Sequence, residues 1–200
     1  MKPVLLVALL LSAGCMKQVM MQEFSLVLEA AEDWEPRICE RHEARIDLVE
    51  VMLPEYLMSR GFVVQRGSSA VVVAKHHFWA EPLDTAVHKV LVQDISAQLP
   101  TFDITAGSGQ LADCTLLIDF DRLHASNDSR MLVSGRYALT GGNTAEHREF
   151  DVSLPLSVDS EAAMVTVMRR ALGELSAEIA LVLQECAPSE EHTHGDDEPH

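Results

Sequence analysis

With 200 residues, 48% of them apolar, the chain is long enough for one domain with a substantial core. Its formal net charge is −16, whereas a protein that binds nucleic acid needs a basic face to displace counterions from phosphates. The composition therefore argues against a nucleic-acid partner and favours an acidic globular protein that binds other proteins.

The first 14 residues predict a signal peptide. Lys2 precedes an apolar run from Val4 to Leu11, and small residues lead to Cys15. The run is too short to span a bilayer. Its end, Leu-Ser-Ala-Gly-Cys at 11–15, resembles the bacterial lipoprotein signal, although that signal most often has leucine where Ser12 stands. The alternative is an ordinary secretory peptide with an incidental cysteine.

In a lipoprotein signal the cysteine is acylated, with palmitate or similar chains, and becomes the first residue of the mature protein. We therefore expect lipidation of Cys15 and a lipidated tether over 15–21. Cleavage removes Lys2 and leaves 14 basic and 31 acidic side chains, a formal net charge of −17. Several acyl chains anchor a protein durably where one does not. Because Met16, and not an aspartate, follows the cysteine, the resemblance implies the periplasmic face of the outer membrane.

After lipidation of Cys15, three cysteines remain, and they form at most one bridge within the chain. Cys114 opens an apolar strand and Cys186 closes the last predicted helix. A Cys114–Cys186 disulfide is one prediction, provided that the two Cα atoms lie within about 7 Å. A buried, unpaired Cys114 is the alternative.

Strand patterns run through most of the remaining chain. Residues 22–29 alternate apolar and polar side chains, whereas 30–43 follow neither period and predict a surface loop. Three Val- and Ile-rich stretches predict short strands: 46–53, 62–65 and 70–74. Three later segments are joined by turn sequences and predict an antiparallel meander: 115–123, 131–140 and 146–154.

Two helices complete the pattern. The first repeats apolar residues over 83–99, and Asp84, Lys89 and Asp94 are expected to face water. The second starts near residue 159 and has a similar stripe: Met164, Met168, Leu172, Leu175, Ile179 and Val182. We therefore expect an α/β (α+β) fold with a mixed, largely antiparallel sheet and two long amphipathic helices on one of its faces.

Trp79 stands just before the first of these helices. Pro82 suits the first helical turn, where its missing N–H costs nothing. Trp79 can then pack as a hydrophobic staple near Leu83 or Ala86. We prefer this structural role to one in which the indole stacks on a ligand.

The same stretch resembles a known family. Leu-Pro-Glu-Tyr-Leu at 53–57, two valine-rich strands and then Trp-Ala-Glu-Pro-Leu at 79–83 are similar to the PqiC-like auxiliary lipoproteins of ABC-type lipid transporters. The residues that carry the resemblance are Pro54, Tyr56, Leu57, Trp79, Ala80, Pro82 and Leu83. Many relatives continue Tyr-Leu with Asp-Arg-Pro, whereas this chain continues with Met-Ser-Arg-Gly at 58–61.

The resemblance implies a domain over 22–186, a role in envelope integrity and a partner with an MCE domain (PqiB-like) that forms a lipid conduit across the periplasm. It implies neither enzymatic activity nor a cofactor. We also expect homo-oligomers, because several tethered copies gain avidity for the end of a conduit. The striped helices and alternating strands account for the apolar residues, so no lipid-sized cavity is expected.

Metal binding is the rival hypothesis. The tail over 187–200 carries His192, His194 and His200 among carboxylates, and these side chains bind Zn²⁺ or Cu²⁺. No apolar residue after Pro188 would fix a geometry. We therefore expect a disordered acidic, His-rich tail without a structural metal site.

Other signs of chemistry are weak. Cys39 and His42 form an isolated two-ligand fragment, and Ser108 in Ala-Gly-Ser-Gly-Gln does not match the G-x-S-x-G nucleophile motif. The sequence predicts a protein that is not an enzyme.

Overall fold

The computed structural model describes residues 20–28, 44–108, 111–141, 144–157 and 160–184. The described strands are β1 (Gln22–Phe24), β2 (Arg45–Met52), β3 (Gly61–Arg66), β4 (Ala70–Trp79), β5 (Asp103–Ala106), β6 (Cys114–Ser126), β7 (Arg130–Gly141) and β8 (Thr144–Pro155). The described helices are α1 (Leu83–Gln98) and α2 (Glu161–Leu183). A short 3₁₀ helix, Glu55–Leu57, separates β2 from β3.

Strand β6 is the centre of the sheet. β7 pairs with one edge of β6 and β8 pairs with β7, so these three strands form an antiparallel meander. The other edge of β6 is shared by two parallel strands, β2 beside its first half and β3 beside its end. β5 extends the sheet beyond β2, whereas β4 and then β1 extend it beyond β3.

The middle of the meander is closely packed. Phe120 on β6 and Phe150 on β8 flank Gly135 on β7, and their rings meet edge-on with centroids 5.4 Å apart. A Cβ on Gly135 would lie 2.1 Å from the carbonyl oxygen of Asp119. This close approach of two backbones requires glycine, and the two aromatic rings fill the space beside it.

Both helices cover one face of the sheet. α1 lies against β2 and β5, α2 lies against β6, β7 and β8, and the helices contact each other. Pro82 caps α1, and its carbonyl oxygen accepts a bond from Ala86 N at 3.0 Å. Ser160 caps α2, and its Oγ accepts from Ala163 N at 3.2 Å. The fold class predicted from the sequence is confirmed.

Some element bounds differ from the prediction. β1 ends at Phe24 and not at residue 29, because the chain turns and Leu26 is fully buried. β4 continues to Trp79, which is therefore the last residue of a strand. β5 was not predicted, because four residues are too few to show a period. The predicted loop over 30–43 lies outside the described residues.

The prediction that Asp94 faces water was wrong. Asp94 is 1% exposed and accepts two hydrogen bonds, both 2.5 Å, from the guanidinium group of Arg169 on α2. Arg169 is buried as well. A buried charge is tolerated when a partner of opposite charge meets it with good geometry. The contact between α1 and α2 is therefore charged at its centre and apolar around it.

Candidate functional site

The residues of the family motif meet where β3, β4 and α1 join. Leu57, Trp79 and Leu83 are buried and line one small apolar cavity of about 10 Å³, together with Phe62 and Met168. A cavity of this size holds about one water molecule. Three motif residues thus lie in the core, whereas Pro54 and Tyr56 are half-buried and Ala80 and Pro82 are exposed beside it.

Tyr56 bridges the break between β2 and β3. The carbonyl oxygen of Pro54 accepts from Leu57 N at 2.9 Å, which closes the short helix. This turn brings the Tyr56 hydroxyl to the carbonyl oxygen of Asp121, at 3.2 Å, beside a register shift in β6. The ring of Tyr56 also meets His124 edge-on, with centroids 5.8 Å apart. Tyr56 therefore satisfies a backbone group of β6 that neither parallel strand reaches.

Trp79 is 3% exposed, and its ring meets Phe62 edge-on with centroids 4.2 Å apart. The neighbouring backbone is tied as well, because Trp79 N donates to Arg60 O at 2.7 Å and Ala80 N donates to Phe24 O at 2.8 Å. The motif around Trp79 thus joins β4 to β1 and to the turn before β3. These contacts fit the structural role predicted for the tryptophan, which stays a prediction.

The segment that departs from the family pattern ends at Gly61. A Cβ at this position would lie 2.6 Å from the carbonyl oxygen of Ala74, so the close approach of β3 to β4 requires glycine here. Arg60 beside it donates to Glu23 at 2.8 Å, between two exposed side chains. Arg60 and Gly61, which depart from the family pattern, therefore contact β1 and β4.

The larger openings are clefts at the surface. One of about 580 Å³ is lined by cross-strand neighbours of the meander, among them Leu117, Arg136 and His147. A second, of about 790 Å³, lies beside Ala44 and Leu111 at the start of β2. Both are lined by apolar and charged side chains. Such mixed open surfaces suit contact with a protein better than enclosure of a lipid tail.

Three titratable groups, Tyr137 and His124 buried and Tyr56 half-buried, have shifted pKa values. Burial raises the pKa of Tyr56, and burial, followed by the charge of Glu178, raises the pKa of Tyr137 to about 12. Burial lowers the pKa of His124, although its Nδ1 donates to the carbonyl oxygen of Ala125 at 3.1 Å. All three shifts favour the neutral form, which indicates side chains that serve packing.

Of the remaining predicted site residues, the structure describes Cys114 and no other. Cys15, Cys186 and the His-rich tail are outside the described residues. Cys114 is buried and disulfide-bonded. Since Cys114 is the one cysteine inside the described ranges, its partner is outside them. The described residues contain no group of three or more potential metal ligands. Neither described helix is long and apolar enough to cross a membrane.

The sequence contains a signal for the buried ion pair. Asp94 follows Val87 and Leu91 on the apolar stripe of α1, and Arg169 lies beside Met168 and Leu172 on the stripe of α2. Opposite charges on two facing apolar stripes indicate a pair across the helix contact. A charged side chain on an apolar stripe is therefore no sign of exposure to water.

The comparisons with known proteins agree with this arrangement. The model of the ABC-type transport auxiliary lipoprotein component family matches residues 27–180. The chain belongs to this family. The Intermembrane transport lipoprotein PqiC of Escherichia coli K12 is 29% identical over 136 residues, which cover 68% of this chain and 71% of that protein. The same protein of Shigella flexneri matches equally well. The resemblance predicted from the sequence is confirmed.

Two solved structures share the fold. The crystal structure of an uncharacterized protein, 26% identical, has a TM-score of 0.69 and covers 82% of this chain and 99% of that one. A protein from Xanthomonas campestris, 15% identical, has a TM-score of 0.64 with 82% and 98% coverage. The family is one of auxiliary lipoproteins for transport and not a family of enzymes.

Proposed function

We propose that the protein is a non-enzymatic accessory subunit of an MCE-type intermembrane lipid transport system, anchored on the periplasmic face of the outer membrane, and that it supports envelope integrity. The observation that carries the proposal is the family match over 27–180. The sequence Leu-Ser-Ala-Gly-Cys at 11–15, which resembles a lipoprotein signal, precedes the matched region.

The anchor in this proposal is an acylated Cys15. β1 starts at Gln22, so a tether of only seven residues connects the lipid to the sheet. Such a tether, at most about 25 Å long when extended, keeps the domain at the membrane surface. A lipoprotein at this position meets a periplasmic conduit where the conduit ends.

The partner in this proposal is an MCE-domain (PqiB-like) protein, held by a homo-oligomer of this chain. The packing of the core supports a protein partner over a lipid cargo, because the apolar cavity beside Trp79 has a volume of about 10 Å³. A ring of tethered copies gains avidity for a conduit by multiple contacts. The mixed cleft over Leu117 and Arg136 offers a surface for such contacts.

We further propose that Cys114 is bridged to Cys186. α2 starts beside Ser126, at one end of β6, because Asn127 and Ser160 line one cleft. α2 has 23 residues and is about 34 Å long, and β6 runs back over a similar length to Cys114. Cys186 follows the end of α2 by three residues, and this short separation supports a bridge to the start of β6. A bridge to Cys39 is the competing assignment.

The experiment is affinity capture of the full-length, tagged protein from its own envelope after crosslinking. We expect an MCE-domain protein among the captured partners and acyl mass on Cys15. The Cys15→Ala variant should leave the membrane and lose the partner from the captured material. Membrane retention of Cys15→Ala, with no acyl mass on the unaltered chain, would contradict the anchor. Capture without any MCE-domain protein would contradict the partner.

A further inference from the structure

The hairpin of β3 and β4, residues 61–79, exposes apolar side chains. Val71, Val72 and Val73 are consecutive on β4 and are 43%, 44% and 40% exposed. Successive side chains of a strand point to opposite faces. Since all three valines are exposed to a similar degree, the first half of β4 is covered on neither face.

The outer edge of the same hairpin is also open. β1 pairs with β4 only from His77 to Trp79, and the pairing with β3 uses the other edge. Within the described residues, β4 from Ala70 to His76 therefore has no neighbour on its outer edge. The tip of the hairpin, around Gly67, lies beside the turn at Asn127, whose N donates to Gln65 O at 3.0 Å.

The charge of the hairpin is opposite to that of the protein. From Tyr56 to Ala80 the sequence has three basic residues and no Asp or Glu, in a chain whose formal net charge is −16. Arg60 is paired with Glu23. Arg66 and Lys75 are exposed and have no ion-pair partner among the described residues. In the part of the chain that the structure describes, the other acidic groups near the hairpin are Asp128 in the adjoining turn and Glu161, whose carboxylate is paired with His77 at 2.7 Å.

The direction of β1 brings the anchor to this hairpin. β1 is parallel to β4, with Gln22 beside His77, so the chain enters β1 from the side of the hairpin tip. Cys15 precedes Gln22 by seven residues, and Ala70 precedes His77 by seven. Seven residues span at most about 25 Å, and seven residues of strand span about 23 Å. A fully extended tether before Gln22 is therefore about as long as the part of β4 that extends from His77 to the hairpin tip.

We propose that the tip of the β3–β4 hairpin contacts the phospholipid surface of the membrane that holds Cys15. The exposed valines enter the headgroup region, and Arg66 and Lys75 bind the phosphates of anionic phospholipids. The contact gives the domain a fixed orientation that a single flexible tether does not provide. α2 then points away from the bilayer. This inference rests on the proposed acylation of Cys15.

The test measures which end of the domain touches lipid. Full-length acylated protein is reconstituted into vesicles of phosphatidylethanolamine and phosphatidylglycerol whose acyl chains carry bromine, which quenches tryptophan nearby. Ser68→Trp places a reporter at the hairpin tip. Leu111→Trp is the matched control, because Leu111 is 94% exposed beside the start of β2, at the other end. Unaltered protein supplies the emission of Trp34 and Trp79, which is subtracted.

We expect brominated lipid to remove most of the emission added by Ser68→Trp and to leave that of Leu111→Trp unchanged. Acyl mass and flotation with the vesicles are measured on the same samples. Acylated, floating protein with no quenching at either position, or with quenching at position 111 alone, would overturn the orientation while leaving the anchor intact. Protein without acyl mass would overturn both the anchor and the inference that rests on it.

Discussion

The helix layer, formed by α1 and α2, buries apolar and charged side chains, whereas β4 in the β3–β4 hairpin exposes both kinds between Val71 and Lys75. Between α1 and α2 even charged residues are buried and paired, as Asp94 and Arg169 show. On the hairpin, Val72 is 44% exposed and Lys75 has no ion-pair partner among the described residues. Burial in the layer stabilises the fold, whereas the hairpin leaves apolar surface uncovered. The difference separates residues that the domain needs for folding from residues available to a partner or a membrane.

The largest loss of stability is expected from a variant that breaks the ion pair in the helix layer. Asp94→Ala leaves the guanidinium group of Arg169 buried without a counter-charge, and we expect a loss of about 3 to 5 kcal/mol in the free energy of unfolding. Asp103→Ala is the control, because Asp103 pairs with Arg45 where both side chains are exposed. The control should lose about 1 kcal/mol or less. Urea denaturation followed by circular dichroism measures both.

A double variant sharpens this result. Asp94→Leu combined with Arg169→Met removes both charges from the helix contact and should recover most of the stability lost in Asp94→Ala. A single variant as stable as the unaltered protein would show that the ion pair contributes nothing to the stability of the helix layer.

The ion pair also shows which features of the structure can be predicted from the sequence and which cannot. Periodicity located both helices and their apolar stripes, because burial repeats every three to four residues. It did not locate β5, whose four residues pair with β2 only after the sheet has formed. Nor did it show that Tyr56 reaches Asp121 or that Trp79 meets Phe62. Those contacts depend on strand order, which local patterns do not encode.

The second prediction concerns the buried end of the hairpin, at Trp79. Trp79→Ala removes a ring that is 3% exposed and packed on Phe62, and we expect a loss of about 3 kcal/mol. Thermal or urea unfolding of the purified domain gives the value. A variant that keeps full stability but no longer captures its partner would show that the indole serves binding and not folding.

The third prediction concerns the disulfide partner of Cys114. Cys186→Ser and Cys114→Ser should each lose about 2 to 4 kcal/mol under oxidising conditions, by equal amounts if these cysteines are bridged. Cys39→Ser should then have no effect. Peptide mapping without reduction identifies the bridge directly. A bridge between Cys39 and Cys114 would reverse the outcome of the two serine variants at 39 and 186.

The smallest effect is expected on the hairpin. Val72→Ser should change the free energy of unfolding by about 0.5 kcal/mol or less, because the side chain is 44% exposed. Val87→Ser, on the fully buried side of α1, is the matched change and should cost several times more. Equal losses for the two serines would mean that Val72 is part of the core after all.

Native mass spectrometry of the protein, extracted from its own envelope with and without prior crosslinking, tests the central claim most directly. We predict acylated homo-oligomers bound to an MCE-domain protein, with no stoichiometric phospholipid retained by the domain. A monomer that carries one phospholipid and no protein partner would contradict this account and make the protein a lipid carrier.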